Sequence, residues 1–127
     1  MLGDYRDVYH YLAAGLGAVL LAIPWRESLA FTNGVIEEDE GPSHGGHEVS
    51  IVGFENELWD ESDRAYLIVA NSHGRRWGKE GFSLVSPHLV DQWGARADTL
   101  MVGLSDLDIY HSRQHAGGPR DRTQTDG

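Results

Sequence analysis

Apolar positions along the chain switch between helical and strand spacing, and they predict one helix followed by about five strands. Behind Asp4, a good N-cap residue, helical spacing extends over residues 4–14. Short apolar runs bounded by glycine, proline or polar residues predict the strands 18–23, 47–54, 65–70, 81–85 and 99–103. Residues 27–32 fit one helical turn, and Ser86-Pro87 predicts a second short helix ending at Gly94.

The connections between these strands are too short to hold crossover helices. They therefore favour an antiparallel sheet or open barrel with a helix packed against it, an α+β fold. A chain of 127 residues suits one domain. We assign residues 1–112 to that domain and expect the polar tail 113–127 to be disordered. Residues 41–46 and 55–63 are expected to be loops.

Composition removes several classes of function. Twenty acidic and ten basic residues give a net charge of −10, which argues against binding of nucleic acid or of an anionic membrane surface. No apolar run is long enough to span a bilayer, and the N-terminus lacks a signal-peptide pattern, so localisation stays open with the cytoplasm as default. The absence of cysteine excludes thiolate metal sites and a cysteine nucleophile within these residues. No cofactor is expected.

Candidate chemistry lies where two predicted strands would meet. If strands 48–54 and 65–70 form an antiparallel hairpin, His47 and Asn71 become neighbours. The amide oxygen would then fix the imidazole tautomer and leave the second ring nitrogen free as a base. Other interpretations stay open: His47 as an ordinary loop histidine, Asn71 as a turn residue, or a metal site formed by His44, His47 and Glu48.

Two segments resemble the family of papain-like cysteine peptidases. The run His-Glu-Val-Ser-Ile-Val-Gly-Phe over residues 47–54 is similar to the family's histidine strand. The run Asn-Ser-His-Gly-x-x-Trp-Gly-x-x-Gly-Phe over residues 71–82 is similar to its asparagine segment, and this block is the specific one. The resemblance covers about residues 5–104. It implies the fold of the barrel-like C-terminal half of a two-lobed enzyme.

The resemblance also implies roles for individual residues. His47 matches the catalytic histidine and Asn71 the asparagine that orients it. Trp77 matches the second tryptophan of the motif, near the primed side of the cleft. His73 stands where the family usually has a tryptophan that shields the histidine–asparagine bond from water. Gly46, His73 and Trp77 are expected to line or support the cleft.

The lobe that bears the nucleophile is missing. In the family the cysteine lies about 130–150 residues before the histidine, but only residues 1–46 precede His47. The chain is therefore the histidine-bearing part of a split or processed peptidase, a non-catalytic relative reused as a binding or structural subunit, or a fragment of a longer chain. Each case predicts a protein partner at the face carrying His47, a peptide substrate if the assembly is active, and no free monomer.

Two further groups of residues receive ordinary structural interpretations. The acidic run Glu37–Glu40 is typical of a solvated face, although a cation site is an alternative. Trp25, Trp59 and Trp93 are expected to be packing residues rather than a ligand cage.

Overall fold

The computed structural model describes residues 1–71 and 74–104. Its helices are α1 (Tyr5–Ala13), α2 (Glu27–Ala30) and α3 (Pro87–Ala95). Its strands are β1 (Val19–Arg26), β2 (Val35–Ile36), β3 (Ser43–Trp59), β4 (Ala65–Ala70), β5 (Phe82–Val85) and β6 (Leu100–Gly103). The end of the predicted domain at residue 112 and the tail 113–127 lie outside the described residues.

The six strands form one open sheet in the order β2-β5-β4-β3-β1-β6. Neighbours pair antiparallel except β2 and β5, which are parallel. The α+β class and the N-terminal helix are confirmed. The parallel strand β2 was not predicted, because two residues carry no alternation that could reveal a strand.

Strand β3 is much longer than predicted, and the loops expected at 43–46 and 55–59 are wrong. Its N-terminal end pairs with β1, where Pro24 opposes Gly46, and its C-terminal end pairs with β4, where Trp59 opposes Ala65. Most side chains at these two ends are exposed. Backbone pairing with the neighbouring strands makes these ends strands, so the polar composition misled the prediction.

The hydrophobic core lies between one sheet face and the helices α1 and α3. It contains Tyr5, Val8, Val19, Leu21, Ile51, Leu67, Val69, Val85, Leu89, Val90, Trp93 and Met101. Asp4 caps α1 by accepting a hydrogen bond from the Asp7 amide. A Cβ at Gly94 of α3 would collide with the Gly3 carbonyl oxygen, so this close approach requires glycine.

Within residues 1–71 and 74–104, no helix combines the length and apolar character needed to cross a membrane.

Candidate active site

The sheet brings the two predicted site residues together. His47 lies on β3 opposite Ile23 of β1. Asn71 directly follows β4, whose last residue Ala70 opposes Ser50 of β3. The Nε2 atom of His47 lies 3.4 Å from Oδ1 of Asn71. The predicted antiparallel pairing of these strands and the contact between the two side chains are therefore present.

Two hydrogen bonds fix the main chain of Asn71 and thereby the starting point of its side chain. Its amide donates to the Gly81 carbonyl at 2.8 Å, and its carbonyl accepts from the Gly74 amide at 3.2 Å. The side chain is buried, with 9% of the residue exposed. A buried, doubly anchored residue presents its oxygen to the imidazole from a fixed position, which is what orientation of a ring requires.

The imidazole of His47 has one engaged and one open nitrogen. The 3.4 Å separation from Asn71 is at the long end for a hydrogen bond, as is common for catalytic pairs before substrate binds. A carboxamide oxygen only accepts, so Nε2 is the donor in this contact, and in the neutral form of the ring the lone pair is then on Nδ1. Among the described residues, no group forms a hydrogen bond with Nδ1.

An aromatic pair supports the imidazole from one side. The ring of Trp25 lies 4.5 Å from the His47 ring, centroid to centroid, and 5.6 Å from the ring of Trp77. Trp77 is buried, and its indole nitrogen donates to the Leu29 carbonyl at 2.7 Å. This bond fixes Trp77, which then fixes Trp25 against the imidazole.

Trp25 is the site residue that the sequence did not reveal. We expected it to be a packing residue, and it does pack, but against His47. The available signal is positional: Trp25 follows Ile23 by two residues on β1, and Ile23 opposes His47 across the β1–β3 pair. Such a register can be used only once the pairing of the strands is known.

Gly46 lies between two cavities that flank His47. One, of about 690 Å³, is bordered by β1, β3 and β6; its lining residues include Ala22, Pro24, Gly46, His47, Glu48 and Leu100. The other, of about 410 Å³, is lined by residues that include Leu20, Gly46, His47, Ser50 and Ala70. The cleft role predicted for Gly46 agrees with this position and stays a prediction. His73 lies outside the described residues.

The residues proposed for the alternative metal site do not converge on one point. His44 makes a T-shaped contact with the exposed ring of Phe31 at 5.9 Å, whereas the ring of His47 is tilted against that of Trp25. No group of three or more His, Asp or Glu side chains in the described ranges is arranged to hold a metal ion.

The expectation that the acidic run Glu37–Glu40 is solvated holds for its three glutamates but is wrong for Asp39. Its side chain is fully buried. It accepts hydrogen bonds from Arg26 at 3.3 Å, Trp93 at 2.8 Å and Arg96 at 2.6 Å. A carboxylate can be buried when hydrogen-bond donors compensate for its lost hydration, and here the donors come from residues distant from Asp39 in sequence.

Comparison with known proteins identifies the family. The family model for papain family cysteine proteases matches residues 6–100, and the chain therefore belongs to that family. No curated protein matches the chain significantly.

Solved structures show the same fold. Procathepsin B from Trypanosoma congolense is 20% identical, with a TM-score of 0.53, and the match covers 81% of this chain and 33% of that one. The bromelain protease from Ananas comosus is 20% identical, with a TM-score of 0.55, over 77% and 45% of the two chains. Digestive procathepsin L 3 from Tenebrio molitor is 24% identical, with a TM-score of 0.53, over 80% and 33%. The chain thus spans between a third and a half of these structures.

Proposed function

We propose that this chain supplies the histidine and asparagine of a papain-like cysteine peptidase site, and that a polypeptide outside these 127 residues supplies the cysteine. The observation that supports the proposal most is the His47–Asn71 pair, in which Nε2 faces the amide oxygen at 3.4 Å and Nδ1 is left without a hydrogen bond among the described residues. A histidine that served only packing would not need one nitrogen anchored and the other open.

The chemistry that follows is amide hydrolysis through an acyl-enzyme. Nδ1 of His47 accepts the proton of the partner's thiol, and the thiolate attacks the substrate carbonyl carbon. The imidazolium returns that proton to the amine as the C–N bond breaks, leaving a thioester. His47 then removes a proton from water, whose oxygen attacks the thioester, and the thiol leaves with the proton. Asn71 keeps the ring in one orientation throughout.

The surroundings of His47 suit a docked second polypeptide. The larger flanking cavity has apolar walls from Met1, Ala22, Ile23, Pro24 and Leu100. Met1 and Leu100 are 85% and 38% exposed. Exposed apolar side chains beside an open base support the proposal that a second polypeptide covers this surface.

A probe for reactive thiols tests the proposal. The tagged full-length chain is purified from its producing cells with whatever polypeptides accompany it, and the assembly is treated with a peptidyl epoxide. We expect one companion polypeptide, or one region of a longer chain, to be labelled at a single cysteine. His47→Ala should abolish labelling, because the thiolate loses its imidazolium partner. His44→Ala, three residues away and in edge contact with Phe31, is the matched control and should label normally.

The second candidate function is a non-catalytic binding subunit that keeps the family fold. It is favoured by the complete absence of cysteine from the 127 residues. A companion polypeptide that docks at the His47 face but contains no epoxide-reactive cysteine would establish this function and contradict the peptidase.

A further inference from the structure

Within the residues that the structure describes, the basic side chains without an ion pair are concentrated on one loop. Three of the seven arginine and lysine side chains in the described ranges form ion pairs: Arg26 and Arg96 with Asp39 and Asp98, and Arg64 with Asp60 and Asp91. The side chains that form no ion pair with a described residue are Arg6, Arg75, Arg76 and Lys79. Three of these four belong to the short segment between Asn71 and β5.

Arg75 and Arg76 are joined directly to the candidate site. A Cβ at Gly74 would lie 3.4 Å from Nδ2 of Asn71, so Gly74 packs against the carboxamide that orients His47. The Trp77 amide donates to the Gly74 carbonyl at 3.0 Å, which closes a turn with Arg75 and Arg76 at its tip. Both arginines are exposed. The two charges therefore sit between two residues of the site, Asn71 and Trp77.

Lys79 belongs to the same loop, but its side chain lies beside Gly34. Its Cγ would lie 3.7 Å from a Cβ on Gly34, and it lines a separate cavity together with Glu55 and Phe82. Neither of the two cavities beside His47 has a lining residue from the loop 74–81. Both are lined by Glu48, which forms no ion pair with a described residue. Arg75 and Arg76 are thus connected to the site through the turn 74–77, outside both cavities.

We propose that Arg75 and Arg76 bind a carboxylate of the substrate polypeptide close to the bond that is cleaved, which makes the site selective for acidic peptides. The inference rests on the proposed function and adds a substrate class to it. Guanidinium groups match carboxylates with two parallel hydrogen bonds, and both arginines are accessible to a peptide from solvent. Two arginines within a net charge of −10 are too few for a nucleic acid backbone.

Matched peptides test the proposal on the complete chain. Isotope-labelled protein is titrated with a panel of hexapeptides that differ only in Asp against Asn at one position, each with a free or an amidated C-terminus. We expect the acidic peptides to bind about three- to tenfold more tightly, with shifts centred on residues 74–78. Preference for the free C-terminus assigns the carboxylate to the chain end, whereas preference for Asp assigns it to a side chain.

Variants assign the effect to the two arginines. R75Q/R76Q should remove the preference, and R75E/R76E should reverse it toward matched lysine peptides, which a purely structural loop role would not do. K79Q removes a free charge from the same loop and should leave the preference intact. Equal binding of acidic and neutral peptides, including no binding of either, overturns the inference, as does tighter binding of a single-stranded oligonucleotide than of any acidic peptide.

This test is separate from the test of the proposed function. Epoxide labelling of a companion cysteine without a carboxylate preference rejects the charge selectivity and retains the peptidase. A carboxylate preference without any reactive companion cysteine supports Arg75 and Arg76 as a binding site and rejects the peptidase.

Discussion

Two polar clusters in this molecule differ in how far the central side chain is engaged by partners within the protein. At Asp39, one fully buried carboxylate accepts hydrogen bonds from Trp93 and from two arginines, and all of the donors come from the protein itself. At His47, the imidazole has one internal partner, Asn71, while its second nitrogen is open beside two cavities.

The difference separates a structural cluster from a candidate functional one. The Asp39 cluster joins the segment after β2 to β1, α3 and the residue after α3, so its interactions stabilise the packing of these elements. The His47 cluster holds one group in a fixed orientation and leaves it able to exchange a proton with something outside the fold. Substitutions in the Asp39 cluster should therefore lower the free energy of unfolding, whereas substitutions in the His47 cluster should remove reactivity of the site.

The largest effect on stability is expected at the structural cluster. Asp39→Ala would leave Arg26, Arg96 and the indole of Trp93 without their common acceptor. The arginines are partly exposed, at 22% and 29%, so the loss should be near the lower end for a broken buried pair, about 3 kcal/mol in the free energy of unfolding. Urea denaturation measures it. Asp98→Ala, at a half-exposed partner of the same arginines, is the control and should cost under about 1 kcal/mol.

An intermediate effect on stability is expected at Trp77, the buried residue that supports Trp25 beside His47. Trp77→Phe removes the hydrogen bond to the Leu29 carbonyl and loosens Trp25, at a cost of about 1–2 kcal/mol. Thermal unfolding gives the stability change, and the ring resonances of His47 report the loss of support. Trp59→Phe, at an exposed tryptophan on β3, should change neither quantity appreciably; unaltered His47 resonances in Trp77→Phe would refute the role given to the aromatic pair.

A small effect on stability is expected at the candidate catalytic residue. His47→Ala should change the free energy of unfolding by less than about 1 kcal/mol, because the residue is only partly buried and has a single long hydrogen bond. The same variant should abolish epoxide labelling of the assembly. A loss comparable with that of Asp39→Ala would show that His47 is a structural residue and would end the contrast between the clusters.

The smallest effect is expected from pH at a third polar group, near α1. Burial opposes ionisation of Asp60, but hydrogen bonds from Arg64 and from the Ser62 amide outweigh it and lower the pKa of the Asp60 carboxyl. The ionised group therefore contributes stability that is present above about pH 4, the ordinary value for Asp, and is lost as the pH falls through the lower value in the folded protein.

Thermal unfolding of Asp60→Asn between pH 2 and pH 7 measures this contribution. The variant should be less stable than the parent near neutral pH, and the two should converge in acid. A stability difference between the variant and the parent that stays constant from pH 2 to pH 7 would contradict the contribution assigned to ionised Asp60. Glu57→Gln, at an exposed carboxylate of β3, serves as the control.

Two elements of the fold could be predicted because their capping residue or hydrophobic spacing is a strong local pattern. The cap at Asp4 and helical spacing predicted α1, and the run from Ala65 to Ala70 predicted β4 with its observed bounds. The ends of β3 were missed because exposed polar residues there pair through the backbone, and Asp39 was misjudged because its partners lie on distant elements. Neither feature has a local signal.

The sequence by itself determined the α+β class, the lack of an internal thiol, and the two segments that resemble the papain family, since residue types and their spacing carry that information. Only the tertiary structure decided that Trp25 supports the imidazole and that Asp39 is buried. The physical reason is that these features depend on strand register and on contacts between residues far apart in the chain, which form only when the strands and helices pack together.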